Sequence, residues 1–207
     1  NLHRNGDKKN RQLAERKEEI IQDPIARNLL KTVFGNSAYL SECIISDPSF
    51  FCDLVSKNPM DVINTLRDDL RERCGSFPND EDVMRELRIA KRRVSLTIAI
   101  VDICNIWNLD EITLQLSLFA DLTLSIALSH LLVKSSRQEI LKLNNEITPE
   151  KDSGLVIIGM GKLGAFELNY SSDIDLIILY DPQKFSVNSP NRLQNQVIRL
   201  SQNLVKM

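Results

Sequence analysis

The sequence predicts an α+β chain in which a long helical region precedes the opening of a smaller, strand-containing segment. Three observations carry this. From about residue 24 to 143, apolar residues recur at helical spacing and prolines stand where helices would begin. Leu155-Val156-Ile157-Ile158 and Asp175-Leu176-Ile177-Ile178-Leu179-Tyr180 are short apolar runs of strand character, the second ended by Asp181-Pro182. Between the two regions, residues 144–153 (NNEITPEKDS) are polar, contain Pro149 and lack an apolar period, which marks a linker loop.

The elements follow in order. Residues 1–23 are dense in charge and poor in apolar side chains, and read as a frayed or solvated lead-in. Asp47-Pro48 and Asn58-Pro59 each place a capping side chain before a proline at the first helical position, so helices open near 48 and 59. The second closes near Cys74-Gly75. Asn79-Asp80-Glu81-Asp82 loads acid onto the start of a long helix reaching about Asn105, as the helix dipole favours. Asn108 with Glu111 forms a capping box for a leucine-rich helix. At least five helices are expected before residue 144.

Within the last of these, Ile112 to Val133 is long and apolar enough to raise the question of a membrane span. It holds Gln115 and Asp121, and a mid-bilayer aspartate costs roughly 3 kcal/mol. Thr113, Ser117, Asp121, Ser125 and Ser129 recur every fourth position as a polar stripe, so the segment reads as a core helix. Ile112, Leu114, Leu116 and Leu118 also alternate, which leaves a strand reading open. Ser189-Pro190 is expected to open a final helix carrying Leu193, Val197, Leu200 and Leu204.

Composition bounds the function. The 207 residues are 43% hydrophobic and 26% charged, as in globular proteins. A net charge of −2 provides no basic field for nucleic acid or an anionic membrane, and 5% aromatics is thin for a stacking platform. His3 and His130 are too few for a His-rich metal site, and His130 in its leucine-rich helix reads as packed. Trp107 reads as core. Cys43, Cys52, Cys74 and Cys104 are irregularly spaced without C-x-x-C, which removes zinc ribbons and thioredoxin-type centres. They read as buried thiols in a reducing cytoplasm. No signal peptide pattern is seen at the N-terminus. The chain starts at Asn1 and stops at Met207 within a helical pattern, and reads as a piece of something longer.

Chemistry concentrates after residue 154, where G-L-V-I-I-G-M-G-K-L-G holds four of the seven glycines. Gly159-x-Gly161-x-x-Gly164 after a strand is formally a dinucleotide-binding fingerprint. The connection from Met160 to Asp173 is too short for a parallel crossover, and the acids stand at the start of the second strand rather than its end. What remains is a strand, a Gly-Lys turn, a short helix, and Ser171-Ser172-Asp173-Ile174-Asp175. Residues two apart in a strand share a face, so Asp173 and Asp175 would present two carboxylates to one point. Mg²⁺ with phosphate oxygens is the usual answer to such a pair. Glycine amides at a helix N-terminus, with Lys162, would approach phosphate. Taken singly, D-x-D reads as a capped turn, Lys162 as an exposed lysine, and Ser171 and Ser172 as turn formers; the combination points to a site for nucleotidyl transfer. The basic run Arg85, Arg88, Lys91, Arg92, Arg93 sits among acids and reads as an ion-paired, solvated face.

Residues 159–176, G-M-G-K-L-G-A-F-E-L-N-Y-S-S-D-I-D-L, closely resemble the signature of the bacterial glutamine synthetase adenylyltransferase/adenylyl-removing enzyme family. The resemblance extends to Ser37-Ala38-Tyr39-Leu40 through Pro48 and Phe51, to Met84-Arg85-Glu86-Leu87-Arg88 with Lys91-Arg92-Arg93, and to Arg199-Leu200-Ser201-Gln202. It implies that residues 154–207 begin a nucleotidyltransferase domain of the polymerase β type. Asn169 and Ile174 resemble the N-terminal, adenylyl-removing half. Ala165 stands where that family usually has glycine. The family's third carboxylate lies in a later D-x-R-x-R-P segment absent from this sequence, so the active site is expected to be incomplete in residues 1–207.

The resemblance implies phosphorolytic removal of AMP from adenylylated glutamine synthetase, with release of ADP. Asp173 and Asp175 would hold Mg²⁺, while Gly159, Gly161, Lys162, Gly164, Ser171 and Ser172 would face phosphate and adenine nucleotide. It also implies control by a PII signal protein through the parent chain, in the cytoplasm, with no nucleic-acid or membrane partner. Two alternatives stay open: ATP-dependent adenylylation of the same tyrosine, and a non-catalytic helical docking or regulatory module.

Overall fold

Asp-Pro and Asn-Pro junctions set the helix starts. In the computed structural model, which describes residues 2–143, 145, 147–151, 153–185 and 193–207, α1 spans Leu2–Gln22 and α2 Pro24–Asn36. They are followed by α3 (Ala38–Ser46), α4 (Pro48–Val55), α5 (Pro59–Ser76), α6 (Asp80–Ile103) and α7 (Leu109–Arg137). Asp23 accepts hydrogen bonds from the amides of Ile25 and Ala26, Asp47 from Phe50, and Asn58 from Met60. A proline just behind such a cap forfeits nothing, because that amide has no intrahelical partner. The capping box at α7 closes both ways, Glu111 N–H donating to Asn108 at 2.9 Å and Asn108 N–H to Glu111 at 3.0 Å.

The charged lead-in, residues 1–23, departs from expectation. Residues 2–22 form α1, with Leu13, Arg16 and Ile20 half-buried at helical spacing. Arg16 pairs with Asp53 of α4 at 2.9 Å, and α1 lies against α2 and α4. Glu, Lys, Arg, Leu and Ala are strong helix formers, and three positions on one face suffice to seat a helix whose composition resembles disorder.

Helices α5, α6 and α7 pack on one another, and α3 rests on α6. Ile63, Ile98 and Leu132 are fully buried where they meet. Residues 112–133 are helix throughout, which settles the strand alternative. By length and composition α7 could cross a membrane; in this fold Ile112, Leu116, Phe119, Leu128, Leu131 and Leu132 bury it in the core. The expected polar stripe does not hold one face. A repeat of four drifts about 40° per step against 3.6 residues per turn, so Ser117 is fully buried while Asp121 is exposed. Cys43, Cys52 and Cys74 are buried free thiols; Cys104, at the end of α6, is free but exposed. Trp107 packs against the core. His130 is packed, its Nε2 2.9 Å from Asp80 Oδ1.

After the loop, β1 (Leu155–Gly159) pairs antiparallel with β2 (Leu176–Tyr180), with Leu155 opposite Tyr180 and Gly159 opposite Leu176. This antiparallel register rules out the dinucleotide-binding βαβ unit, which requires parallel strands. Between the strands lies α8, the single turn Gly161–Gly164. Leu155, Ile157, Leu176 and Ile178 pack toward the helices, while Val156, Ile158, Ile177 and Leu179 are exposed on the other face. Helix α9 (Leu193–Lys206) buries Val197, Leu200 and Leu204 and lies on α7. The expected opening at Ser189-Pro190 lies outside the described residues. The class is α+β: a helical body and one small sheet.

Candidate functional site

Close packing explains the glycines of the turn. A Cβ on Gly164 would stand 2.5 Å from the Gly159 carbonyl oxygen, so α8 can seat on the end of β1 only with glycine there. Gly161 has φ +54, a left-handed conformation that L side chains resist. The turn then ends in a Schellman arrangement: Phe166 N–H donates to the Leu163 carbonyl at 3.1 Å and Glu167 N–H to the Lys162 carbonyl at 2.7 Å. Phe166 takes the left-handed position, φ +59, usually held by glycine. Met160 N–H donates to the Asp175 carbonyl at 2.9 Å, one bond beyond the ladder. The glycine turn is thereby stitched beside the second carboxylate. Lys162 is exposed on it.

Strand β2 begins at Leu176, not Asp175, so both carboxylates stand in the irregular approach to the strand. The period-2 argument for their convergence therefore does not apply; the two residues lie on one short segment between the Asn169 turn and β2. Asp173 and Asp175 are exposed, and neither is ion-paired among the described residues. No group of three or more His, Cys, Asp or Glu side chains that could hold a metal occurs among the described residues. Two unpaired carboxylates still fit Mg²⁺, which takes one or two protein carboxylates and completes its shell with water and phosphate oxygens. Ser171 and Ser172 are engaged within the turn: Asn169 Oδ1 accepts from Ser171 N–H at 3.1 Å and from Ser172 Oγ at 2.7 Å.

Two contacts that the sequence reading missed fasten this segment to the helical body. Leu168 N–H donates to Ser117 Oγ of α7 at 3.1 Å, and Ser117 Oγ donates to the Thr113 carbonyl at 2.8 Å. Ser117 is fully buried, so this hydroxyl has no water to turn to. Tyr170 Oη donates to Asp102 Oδ2 of α6 at 3.2 Å. Burial and the neighbouring Asp102 carboxylate push the Tyr170 phenol well above its usual range, which keeps it a donor.

Four of the five basic residues divide in two, while Arg92 is half-buried with its Nε unpartnered among the described residues. Arg85 pairs with Asp82 and Glu86, and Arg93 pairs with Asp47 at 2.6 Å and lies over the Phe50 ring, so these two match the ion-paired reading. Arg88 and Lys91 do not. They line a cavity of about 500 Å³ together with Ser172 and Asp173. A second cavity of about 600 Å³ shares Lys91, Ser95 and Tyr170 with the first. Arg88, Lys91, Ser95, Ala99 and Asp102 are spaced as one face of α6; that spacing was legible, but only the fold shows which face meets the motif.

The glycine turn is hydrogen-bonded to the segment that carries Asp173 and Asp175, and of these Asp173 lines the cavity that Arg88 and Lys91 also line. Residues 27–207 match the family described as Glutamate-ammonia ligase adenylyltransferase, and the chain belongs to that family, one of nucleotidyltransferases. It is 35% identical over 185 residues to a protein of Agrobacterium fabrum, covering 87% of this chain and 19% of the relative. A protein of Rhizobium meliloti is 32% identical over 193 residues, covering 91% and 20%. Both are named bifunctional glutamine synthetase adenylyltransferase/adenylyl-removing enzyme. The chain spans about a fifth of the length of these curated relatives. No solved structure matches it.

Proposed function

We propose that the chain is part of a longer bifunctional protein and belongs to its N-terminal, adenylyl-removing half, in which residues 154–207 begin a nucleotidyltransferase domain of the polymerase β type. The choice of half rests on the motif resemblance at Asn169 and Ile174, and the observation that supports a joint site is the Met160 amide on the Asp175 carbonyl, which joins the glycine turn to the carboxylate segment. The reaction is phosphorolysis of adenylyl-tyrosine on glutamine synthetase. An oxygen of inorganic phosphate bonds to the adenylyl phosphorus, the bond from phosphorus to the tyrosyl oxygen breaks, that oxygen takes a proton, and ADP leaves.

Asp173 and Asp175 are the residues that would hold Mg²⁺, which when bound neutralises charge at the phosphoryl centre. Gly159, Gly161, Gly164, Lys162, Ser171 and Ser172 form the wall facing phosphate, Lys162 as its positive charge. The free thiols support a cytoplasmic location, and control by a PII signal protein would act through other parts of the longer chain.

The relatives' names carry both directions, and one experiment separates them. The full-length protein is assayed with adenylylated glutamine synthetase plus phosphate, and with unmodified glutamine synthetase plus ATP. ADP release in the first that falls roughly a hundredfold or more in Asp173→Asn and Asp175→Asn supports the reading; Lys162→Ala should cost less, because backbone amides of the turn remain. Loss of only the ATP-dependent reaction in these variants would assign the motif to adenylylation. Both reactions at full rate would leave the docking-module alternative.

A further inference from the structure

We propose that Asn169 is the positioning residue of the carboxylate segment, its carboxamide fixing the turn that delivers Asp173 and Asp175. This rests on reading the two aspartates as carboxylates of nucleotidyl transfer, and names what holds them in place.

Two carboxylates that are to share one metal ion must keep their spacing to within about half an ångström. Neither aspartate is placed by partners of its own. Both stand outside the ladder of β2 and both are exposed. Neither is ion-paired among the described residues. Their placement therefore has to come from the chain on either side. Downstream, the Asp175 carbonyl accepts from Met160 N–H at 2.9 Å and β2 follows at once. Upstream, Leu168 is buried and its amide donates to the fully buried Ser117 Oγ at 3.1 Å. Residues 169–172 span the distance from that anchor to Asp173.

Asn169 organises this span. Its Oδ1 accepts from Ser171 N–H at 3.1 Å and from Ser172 Oγ at 2.7 Å. Its carbonyl accepts from Ser172 N–H at 3.3 Å, and its own N–H donates to Ser172 Oγ at 3.4 Å. Among the described residues, every hydrogen bond made within 169–172 has Asn169 at one end. Tyr170 adds a tie to Asp102, but from the tip of its side chain rather than from the backbone. A side-chain oxygen that accepts from the amide two residues on is an Asx turn, in which the side chain stands in for a backbone carbonyl. It sets the direction in which Ser172 leaves the turn, and with it the start of Asp173.

The same geometry separates two effects. Asn169 and Ser171 are exposed, so water can replace the carboxamide and the fold loses little without it. For the chemistry, a displacement of about 1 Å costs roughly a hundredfold in rate. A loss of rate without a loss of stability is what positioning requires.

The test compares Asn169→Ala, Asn169→Ser and Asp173→Asn in the full-length protein, in both reactions on glutamine synthetase. Serine keeps a hydroxyl acceptor for the turn, and alanine keeps none. Asn169→Ala should lower kcat roughly ten- to a hundredfold, with KM within about twofold and the urea midpoint unchanged. Asn169→Ser should recover a large part of the lost kcat. Amide hydrogen exchange, read without turnover, should quicken at Ser171 and Ser172 in Asn169→Ala and slow again in Asn169→Ser, with Leu168 unchanged. Full kcat in Asn169→Ala beside an inactive Asp173→Asn would overturn the proposal. So would a raised KM with unchanged kcat and unchanged exchange, which would make Asn169 a substrate contact, or a lowered urea midpoint that tracks the lost rate. Full activity in Asp173→Asn would instead refute the nucleotidyl-transfer reading, while the exchange rates still report whether Asn169 fixes the turn.

Discussion

Leu132 on α7 and Val156 on β1 are both apolar, yet the first is 0% exposed and the second 54%. Where α5, α6 and α7 meet, Ile63, Ile98 and Leu132 are surrounded on all sides. The strand segment packs one face of a two-stranded sheet and leaves Val156, Ile158, Ile177 and Leu179 in solvent. A two-stranded sheet contributes little stability by itself, so its geometry is borrowed from the helices through Leu155, Leu163 and Leu168 in the core and through the Ser117 and Asp102 hydrogen bonds. The site is a guest of the helical body.

That contrast can be broken by paired substitutions. Leu132→Ala should cost about 2–5 kcal/mol in urea unfolding, since a fully packed site keeps its cavity. Val156→Thr on the open sheet face should stay within about 0.5 kcal/mol. Equal effects would mean that the two regions are not supported differently.

Ser117→Ala should cost about 1–3 kcal/mol, because the buried Leu168 amide loses its acceptor. Hydrogen exchange sharpens this: the Leu168 amide should exchange faster at once, whereas α5 amides should follow only the global loss. Retained protection at Leu168 would show that the segment is held by packing alone.

A smaller effect belongs to the contact between α6 and α7. Burial alone would raise the Asp80 carboxyl, but hydrogen bonds from Lys134 at 2.7 Å and from His130 outweigh it and hold the group below its ordinary value. A carboxyl depressed in the folded state adds stability above its unfolded pKa, about 4, and that stability is lost as pH falls through the lower folded value. Asp80→Asn should therefore be less stable than the unsubstituted chain at neutral pH, with the gap closing below about pH 4. An equal gap at every pH would remove the ion pair from the account.

Phe166→Gly should act in the opposite direction, as a small gain. Glycine relieves the left-handed strain, worth roughly 1–2 kcal/mol, but gives part of it back through a freer unfolded chain and a lost apolar contact. A net gain of about 1 kcal/mol or less in thermal unfolding is expected; a clear loss would mean that the ring is needed where it lies.

Local signals were legible wherever one residue and its neighbour decide the outcome. Asp47-Pro48, Asn58-Pro59 and the Asn108–Glu111 box each work within four residues, and each opens the helix it announced. Strand partners and the rejection of a parallel unit followed from the length of the connection between them. The glycine turn and the D-x-D motif were visible as a pattern. The fold changed their explanation: Gly164 is small because α8 rests on β1, and Asp173 and Asp175 lie before the strand rather than in it.

The sequence by itself determined the helix starts, the α+β division and the identity of the motif, because capping, proline geometry and apolar period act over a few residues of chain. Only the tertiary structure decided that α1 is seated by Arg16 and Ile20, that Ser117 of a winding polar stripe meets Leu168, and that Arg88 and Lys91 share a cavity with Asp173. Those pairings join residues about 40 to 85 positions apart, and spacing along one helix fixes a face without saying what that face will meet.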